Sequence, residues 1–541
     1  MMVLSAWESL TFFWMIQYCD LPNLCIYTKS VNGTSTGPVS LFHGMIGKRN
    51  NRKEQTILMK QQVFNPYLPS WEYVPDGEPH VFKDRLYIFG SHDQFNGMTY
   101  CLNDYVCWSA PVNDLSDWKY EGVIYRGEQD PNYNVYYKPD FMPKHTLYAP
   151  DVTQGPDGRY YLYYAFDFVG VISVAVANQP QGPYEYYGDV HHKDGTVYGK
   201  REGDEFPFDP GVLTDDDGTV WLYSGFGSAE IGRMAGSYVT ETGCDCIELE
   251  QDMITIKKEP VKLIPGSANG KGTPFEGHEF YEASSIRKFD GIYYFIYSSM
   301  LSHELAYAYS TEGPNKGFVY GGPLHSNGNI GYKGSQKALM YWGNNHGSIE
   351  RINGKFYVFG HRQTNYHEFS RQGVAEEIEK GENGLFHMAE MTSCGLNGGP
   401  LQGTGTYGAN IACVLYAKEG ACKITEIKDK TKHPAFTQTG EDRMCDPDQY
   451  ICNLNDGTVT GFKYFSFDKP ETISVRMKAQ ADGIMEVYTD MNEEPVSRIP
   501  VTASEDRKDF KAELKPVTGT KPLYFIWRSE GTADFFAFTI A

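Results

Sequence analysis

The sequence predicts an all-β chain, a five-bladed β-propeller followed by a β-sandwich domain. Three observations predict it: an internal repeat of a turn and an aromatic strand, the spacing of that repeat, and a new strand pattern past residue 408. The copies are KDRLYIFGSHD (83–93), PDGRYYLYYAF (156–166), DDGTVWLYSGF (216–226), FDGIYYFIYSS (289–299) and INGKFYVFGHR (352–362). Four of them carry Asp-Gly or Asn-Gly, the dipeptides of tight hairpin turns, in which both residues reach positive φ. The residues that follow alternate or run apolar, as buried strands require.

Spacing turns the repeat into an architecture. The turn positions Asp84, Gly158, Gly218, Gly291 and Gly354 lie 74, 60, 73 and 63 residues apart. Each interval holds about four short strands and their loops, the size of a propeller blade with insertions. No amphipathic helix of useful length separates the strands, which excludes a parallel α/β fold. Farther on, YFSF (464–467), ETISVRMKA (471–479), GIMEVYTD (483–490), FKAEL (510–514), PLYFIW (522–527) and FFAFTI (535–540) read as short strands between turns. That pattern marks a β-sandwich. The expected domains are residues 59–408 for the propeller and 409–541 for the sandwich.

Composition bounds the function. A hydrophobic fraction of 41% supports packed cores, and 56 glycines suit many tight turns. Forty tyrosines fit strands, or a surface on which rings pack against sugars. With a net charge of −21 and no basic tract longer than KRNNRK (48–53), nucleic acid is excluded as a partner. Such a surface suits a neutral oligosaccharide. The 11 cysteines show no paired metal-knuckle spacing and read as reduced thiols, so a cytoplasmic protein is expected.

Asp76 in PDGEPHVF, Asp151 in LYAPDVTQG and Glu282 in EFYEASSIRK stand just before or on the innermost strands of blades one, two and four. The ends of those strands face a central channel. Glycoside hydrolysis needs such a set: one protonated carboxyl for the leaving oxygen and one ionised carboxylate to activate water. A third carboxylate near the acid raises its pKa by like-charge repulsion. An aspartate before a strand also serves as a turn or capping residue.

From Asn65 to about Arg371 the chain resembles glycoside hydrolase family 43, five-bladed propellers that include arabinofuranosidases, xylosidases and arabinanases. NPYLPSWEYVPDGEP, VCWSAPVNDLSDWKYEGVI, LYAPDVTQGPDGRYYLYY, FDPGVLTDDDGTVWLYSG, EASSIRKFDGIYYFIYS and NNHGSIERINGKFYVFGHR occur in family order. The resemblance implies Asp76 as general base, Glu282 as general acid, Asp151 as the residue that tunes and orients the acid, and inversion of the anomeric carbon. Two departures stand out. Asp76-Gly77 replaces the usual Asp-Pro and brings Glu78 forward as a rival base, while Glu282-Ala283-Ser284 replaces Glu-Gly-Pro, with Glu276 and Glu279 as rival acids.

His346 in NNHGSIE matches a family histidine near the propeller axis, often beside a calcium or other metal ion; a structural calcium is expected there, with no cofactor for the chemistry. Its alternative is a satisfied core histidine. Asp209 in FDPG is an axial or pocket candidate, or a turn former. Arg362 is a donor to sugar hydroxyls or half of a buried ion pair. His92, Asp93 and Asn96 are candidates to line the sugar pocket, and Trp108 and Trp342 to stack on it or pack in the core. The sandwich resembles a family 6 carbohydrate-binding module, in a binding or packing role.

The expected activity is exo-hydrolysis of terminal α-L-arabinofuranosyl residues from hemicellulose-derived oligosaccharides. Its rivals are β-D-xylosidase activity and a non-catalytic sugar-binding propeller. The retaining five-bladed fructosidases are set aside, because their Asn-Asp-Pro-Asn-Gly, Arg-Asp-Pro and Glu-Cys motifs are missing.

The N-terminus reads apart from the fold. Residues 3–28 are apolar and aromatic, but Glu8 and Asp20 interrupt them, and neither a basic lead nor a small-residue cleavage site is present. That run falls short of the ~20 apolar residues of a membrane span, so no membrane partner is expected. Residues 29–58 are polar and patternless. The expectation is that residues 1–58 lie outside the fold and that Met59 is the natural start. Mass spectrometry of the native protein checks this, and a peptide from before Met59 overturns it.

Overall fold

Each repeat folds as the hairpin joining the first two strands of an antiparallel meander. The computed structural model describes residues 61–134, 145–167, 169–234, 236, 239–443 and 448–541, so the expected extension at 1–58 lies outside them. Five meanders follow in order, four of four strands and a last one of three. Their innermost strands are Glu78–Phe82, Asp151–Gln154, Gly211–Thr214, Phe280–Phe289 and Ile349–Ile352. These are five blades about a common axis. A parallel bridge between Gly77 and Gly347 joins blade five back to blade one.

The turns differ in one respect from expectation. Asp290-Gly291 and Asn353-Gly354 have both residues at positive φ, whereas at Asp157-Gly158 and Asp217-Gly218 only the glycine does. Those two loops are longer, with strands ending at Gln154 and Thr214 and resuming at Tyr160 and Val220. A longer hairpin loop needs one left-handed residue where the two-residue turn needs two.

Each blade packs against its neighbours on both faces, so its second strand reads as an unbroken apolar run. YYLYYA (160–165) and VWLYS (220–224) are buried at every position. The propeller core is accordingly divided into five clusters. One of them joins blade five to blade one through Leu86, Ile88, Trp108, Tyr357 and Phe359; the other four lie between successive blades.

Residues 401–540 form two sheets of six strands each. Phe462, Phe465, Met485, Phe525, Trp527, Phe535 and Phe538 fill the space between them. The expected strands are all present. Sequence reading missed Leu401–Gln402, Gly405–Gly408, Val414–Tyr416, Ala435–Gln438, Gln449–Leu454 and Ser497–Val501, and it caught only the end of Ser504–Glu513. Blade five binds the sandwich through Arg362, which donates to the carbonyls of Asn410 (2.8 Å) and Ala412 (3.3 Å) and lies 3.9 Å over the Phe436 ring.

Packing within blade five makes a testable demand on the glycine at the closing bridge. A Cβ at Gly347 would stand 2.0 Å from the Phe359 carbonyl oxygen, a backbone atom of the adjacent strand. Gly347→Ala is expected to lose about 1–3 kcal/mol, the usual cost of overpacking. Thermal and urea unfolding measure it, and an unchanged midpoint would refute the close approach of Phe359 to Gly347.

Candidate active site

One cavity of about 250 Å³ opens beside the propeller axis. Pockets for drug-sized ligands span ~300–1,000 Å³, so this one has the scale of a single monosaccharide. Asp76, Asp209, Glu282 and His346 line it together. An apolar wall of Phe206, Phe208, Phe226 and Tyr281 completes it, with Ser302, Asn344 and Lys423 also at its surface.

The backbone is unusual where the carboxylates enter. Asp76 (φ 56°), Asp209 (φ 43°) and Ala283 (φ 69°), the residue after Glu282, all adopt the left-handed region. Aspartate tolerates this region better than most side chains, and alanine poorly. The strand register also shifts on both sides of Glu282. Such bulges re-aim side chains and are frequent beside active sites.

Asp76 accepts from Arg371 Nη1 at 2.8 Å, and His361 Nδ1 lies 3.2 Å from the same oxygen. Burial by itself would raise its pKa, but the Arg371 guanidinium and both His361 and His346 hold it well below the usual carboxylate range. Asp93 fixes Arg371 in turn, accepting from Nε at 2.9 Å and Nη2 at 3.1 Å.

Glu282 is driven the other way. Burial raises its pKa, and the neighbouring charges of Asp209 and Asp76 raise it further, to about 8. Asp209 also accepts from the Ala283 N–H at 3.2 Å, so it holds the backbone next to the Glu282 side chain. Burial raises Asp209 too, against the hydrogen bond and charge of His346, whose Nδ1 is 3.5 Å away. Burial opposes the charged form of His346, but Asp209, Asp76 and Glu78 outweigh it and raise the pKa to about 9.

The structure separates Asp151 from this group. Its Oδ1 lies 2.7 Å from His80 Nε2 and accepts from its neighbour Val152 N–H, while Oδ2 accepts from Val212 N–H at 2.8 Å. It therefore ties the innermost strands of blades two and three, and it does not line the cavity. The LYAPD motif sends Tyr148 there instead. Asp209 occupies the place beside Glu282 that the sequence reading assigned to Asp151.

Other expectations are corrected in the same way. Glu72 gathers His92 (3.0 Å), Trp108 Nε1 (2.8 Å) and Arg443 (2.6 Å), so His92 and Trp108 are buried structural residues. Asp93 faces Arg371, and Asn96 accepts from Asn365 Nδ2 at 2.8 Å; neither lines the cavity. Arg362 is neither a sugar contact nor an ion pair, because carbonyls and Phe436 hold it at the sandwich. Trp342 lies edge-on to His303 beside the cavity-lining Lys423. Glu276 and Glu279 accept from the N–H groups of Gly272 and Gly277 within their own loop.

Glu78 is engaged elsewhere, accepting from Arg287 Nη2 at 2.7 Å. Glu78, His80 and Asp151 bring donor atoms within 4.8 Å of one another, yet Arg287 already supplies positive charge there. A second gap lies between Glu78 Oε1 and His346 Nε2, 3.9 Å apart, and this Oε1 is buried without a hydrogen-bond partner. An imidazole nitrogen and one carboxylate oxygen are two of the ~6–8 ligands that calcium takes, so an ion there would draw the rest from water. Sequence reading missed Arg371, a lone arginine in FSRQG, and the phenylalanines flanking Asp209 in FPFD.

Comparison with known proteins identifies the family. The model of the family described as glycosyl hydrolases family 43 matches residues 73–386, which contain Asp76, Asp209, Glu282 and His346. A xylosidase/arabinosidase of Thermoclostridium stercorarium is 48% identical over 487 residues, 89% of this chain and 99% of its own length. Xylosidase/arabinosidase 43A of Humicola insolens is 29% identical over 328 residues, 53% of this chain and 88% of its own. A solved family 43 arabinoxylan arabinofuranohydrolase from Bacillus subtilis, in complex with cellotetraose, covers 88% of this chain and 97% of its own at 17% identity and a TM-score of 0.45. The family match ends before the sandwich, whose likeness to a family 6 carbohydrate-binding module rests on sequence alone.

The electrostatics predict which neighbour tunes Glu282. Difference infrared titration against Glu282→Gln should place the Glu282 carboxyl near pH 8. Asp209→Asn removes a negative neighbour and should lower that midpoint, whereas Asp151→Asn should leave it in place. The reverse pattern would restore Asp151 to the role.

Proposed function

The chain belongs to glycosyl hydrolases family 43, and on that premise we propose that its cavity releases terminal α-L-arabinofuranosyl residues from hemicellulose-derived oligosaccharides with inversion. One observation carries the reading: in a cavity scaled to one sugar, Asp76 is held ionised while Glu282 is held protonated. The two halves of acid–base hydrolysis are thus present at once. A purely sugar-binding propeller has no need of that division.

In the proposed step Asp76 takes a proton from water, and the water oxygen bonds to the anomeric carbon. The bond from that carbon to the glycosidic oxygen breaks, and Glu282 gives its proton to the departing oxygen. Asp209 keeps Glu282 protonated by its charge and positions it through Ala283 N–H, the role assigned to Asp151 from sequence. Tyr281 and the phenylalanine wall exclude water from the rest of the pocket. A calcium ion, when bound, would be held by His346 Nε2 and Glu78 and would supply positive charge to the buried carboxylates, while His346 Nδ1 stays with Asp209.

The relatives' names carry a second reading. The 48% identical relative is a xylosidase/arabinosidase, and a 28% identical one from Xylanibacter ruminicola is a β-xylosidase, so β-D-xylosides are the alternative substrate. For the sandwich a packing role is favoured. Two of its clefts, one lined by Lys418, Asp456 and Arg528 and the other by Gln480, Glu505 and Asp534, present no aromatic ring.

Paired aryl α-L-arabinofuranoside and β-D-xyloside substrates test the assignment, with NMR of the first-formed anomer to establish inversion. The arabinoside should be cleaved faster, and if neither is cleaved the reading fails. Activity should fall as pH rises through about 8, because Glu282 then loses the proton it must donate. The limb set by Asp76 lies at strongly acid pH, since this carboxyl must be ionised to act. Glu282→Gln should lower kcat on substrates with poor leaving groups by ~10²–10⁴.

A further inference from the structure

Part of the cavity wall comes from beyond the propeller. Trp342 and Lys423 form a parallel bridge in which Trp342 N–H donates to the Cys422 carbonyl at 3.3 Å and Ile424 N–H donates to the Trp342 carbonyl at 2.7 Å. Ile424 is buried, which anchors the segment behind the lysine. Lys423 Nζ stands 5.8 Å from the centre of the Trp342 ring, within the range of a cation–π contact. The side chain is thus fixed at its backbone and near its charged end.

Lys423 differs from the other basic groups of the cavity. Arg371 is engaged by Asp76 and Asp93, and His346 by Asp209. Lys423 forms no ion pair with a carboxylate among the described residues, although it lines the same cavity as five acidic side chains. Its ammonium has three donors and no acceptor, so it matches sugar oxygens. Asp76 and Asp209 are buried at the floor, while Ser302, Asn344 and Lys423 are half-buried at the rim. A terminal sugar that reaches the floor leaves its attached sugar at this rim.

Resting on the glycosidase reading above, we propose that Lys423 determines specificity for the leaving-group sugar, donating hydrogen bonds to hydroxyl oxygens of the residue next to the one cleaved. The region after the propeller then acts in recognition by completing this site. The bond to be broken and the groups that break it are unchanged. What Lys423 adds is a preference for oligosaccharides over glycosides whose leaving group lacks hydroxyls.

The test compares the full chain with Lys423→Ala and Lys423→Arg, on the cleaved aryl glycoside and on arabinofuranosyl-xylobiose or xylobiose. Lys423→Ala should lower kcat/KM on the oligosaccharide about 10-fold or more, as loss of a hydrogen bond from a charged donor does. The aryl glycoside should change by less than about 2-fold, and Lys423→Arg should recover most of the loss. An equal loss on both substrates, or none on the oligosaccharide, overturns the proposal. Calorimetry in a Glu282→Gln background provides an arm independent of turnover. There Lys423→Ala should weaken oligosaccharide binding about 10-fold and leave monosaccharide binding unchanged; equal affinities with and without Lys423 overturn the proposal. If the unmodified chain cleaves neither glycoside, the substrate reading fails, and the binding arm still decides the role of Lys423.

Discussion

Asp76, Glu78, Asp151 and Asp209 are all buried near the propeller axis, and Glu282 opens on the same cavity. Removing an ionised carboxylate from water costs several kcal/mol even after relaxation, so each must be paired, hydrogen-bonded or protonated. Arg371, Arg287 and His346 provide the positive charge, and their placement decides the outcome at each site. Arg371 lies against Asp76 and keeps it ionised. Arg287 lies against Glu78 on the other side, where burial and the charge of Asp151 still raise that carboxyl to about 7. Glu282 has two negative neighbours near it and retains its proton. The division of labour between acid and base follows from this distribution of cations.

Holding charges in such positions needs a rigid frame. Each blade is wedged between apolar clusters on both faces, and the Gly77–Gly347 bridge closes the ring through a position that has no room for a Cβ. The carboxylates sit where backbone and frame meet: Asp76 and Asp209 are left-handed residues just before innermost strands, and Glu282 precedes the left-handed Ala283 within one. Such conformations are costly and persist when the surrounding packing over-determines them. At Ala283 the left-handed conformation is adopted by a residue with a Cβ. The frame also reaches past the propeller: Arg443 joins the Glu72 cluster, and Arg362 seals blade five against the sandwich.

Local patterns were legible where they were periodic and buried. Aromatic runs identified all five blades, four of them beside Asp-Gly or Asn-Gly turns, because a strand covered on both faces must be apolar throughout. Ser504–Glu513 is a strand whose first six residues are mostly exposed, so only its end, FKAEL, was legible in the sequence. Among the candidate site residues, Asp76 and Glu282 stood out by their position before or on inner strands, and the family resemblance supplied their roles. Asp151 shares that position yet points at His80, because its place in the channel depends on how blades two and three meet. His92 was a candidate for the pocket and Trp108 for the pocket or the core, and Glu72, which lies between them, holds both in the interior.

The sequence by itself determined the blade count and the sandwich, since hairpin turns and strand burial are set by neighbours along the chain, while Asp76 and Glu282 were assigned their roles mainly by family resemblance. Tertiary structure alone decided that Asp209 tunes Glu282, that Arg371 keeps Asp76 ionised, and that Lys423 reaches the rim from outside the propeller. Charge interactions depend on distance in space and on burial, and residues 76 and 371, or 342 and 423, become neighbours only when the ring closes and the sandwich docks.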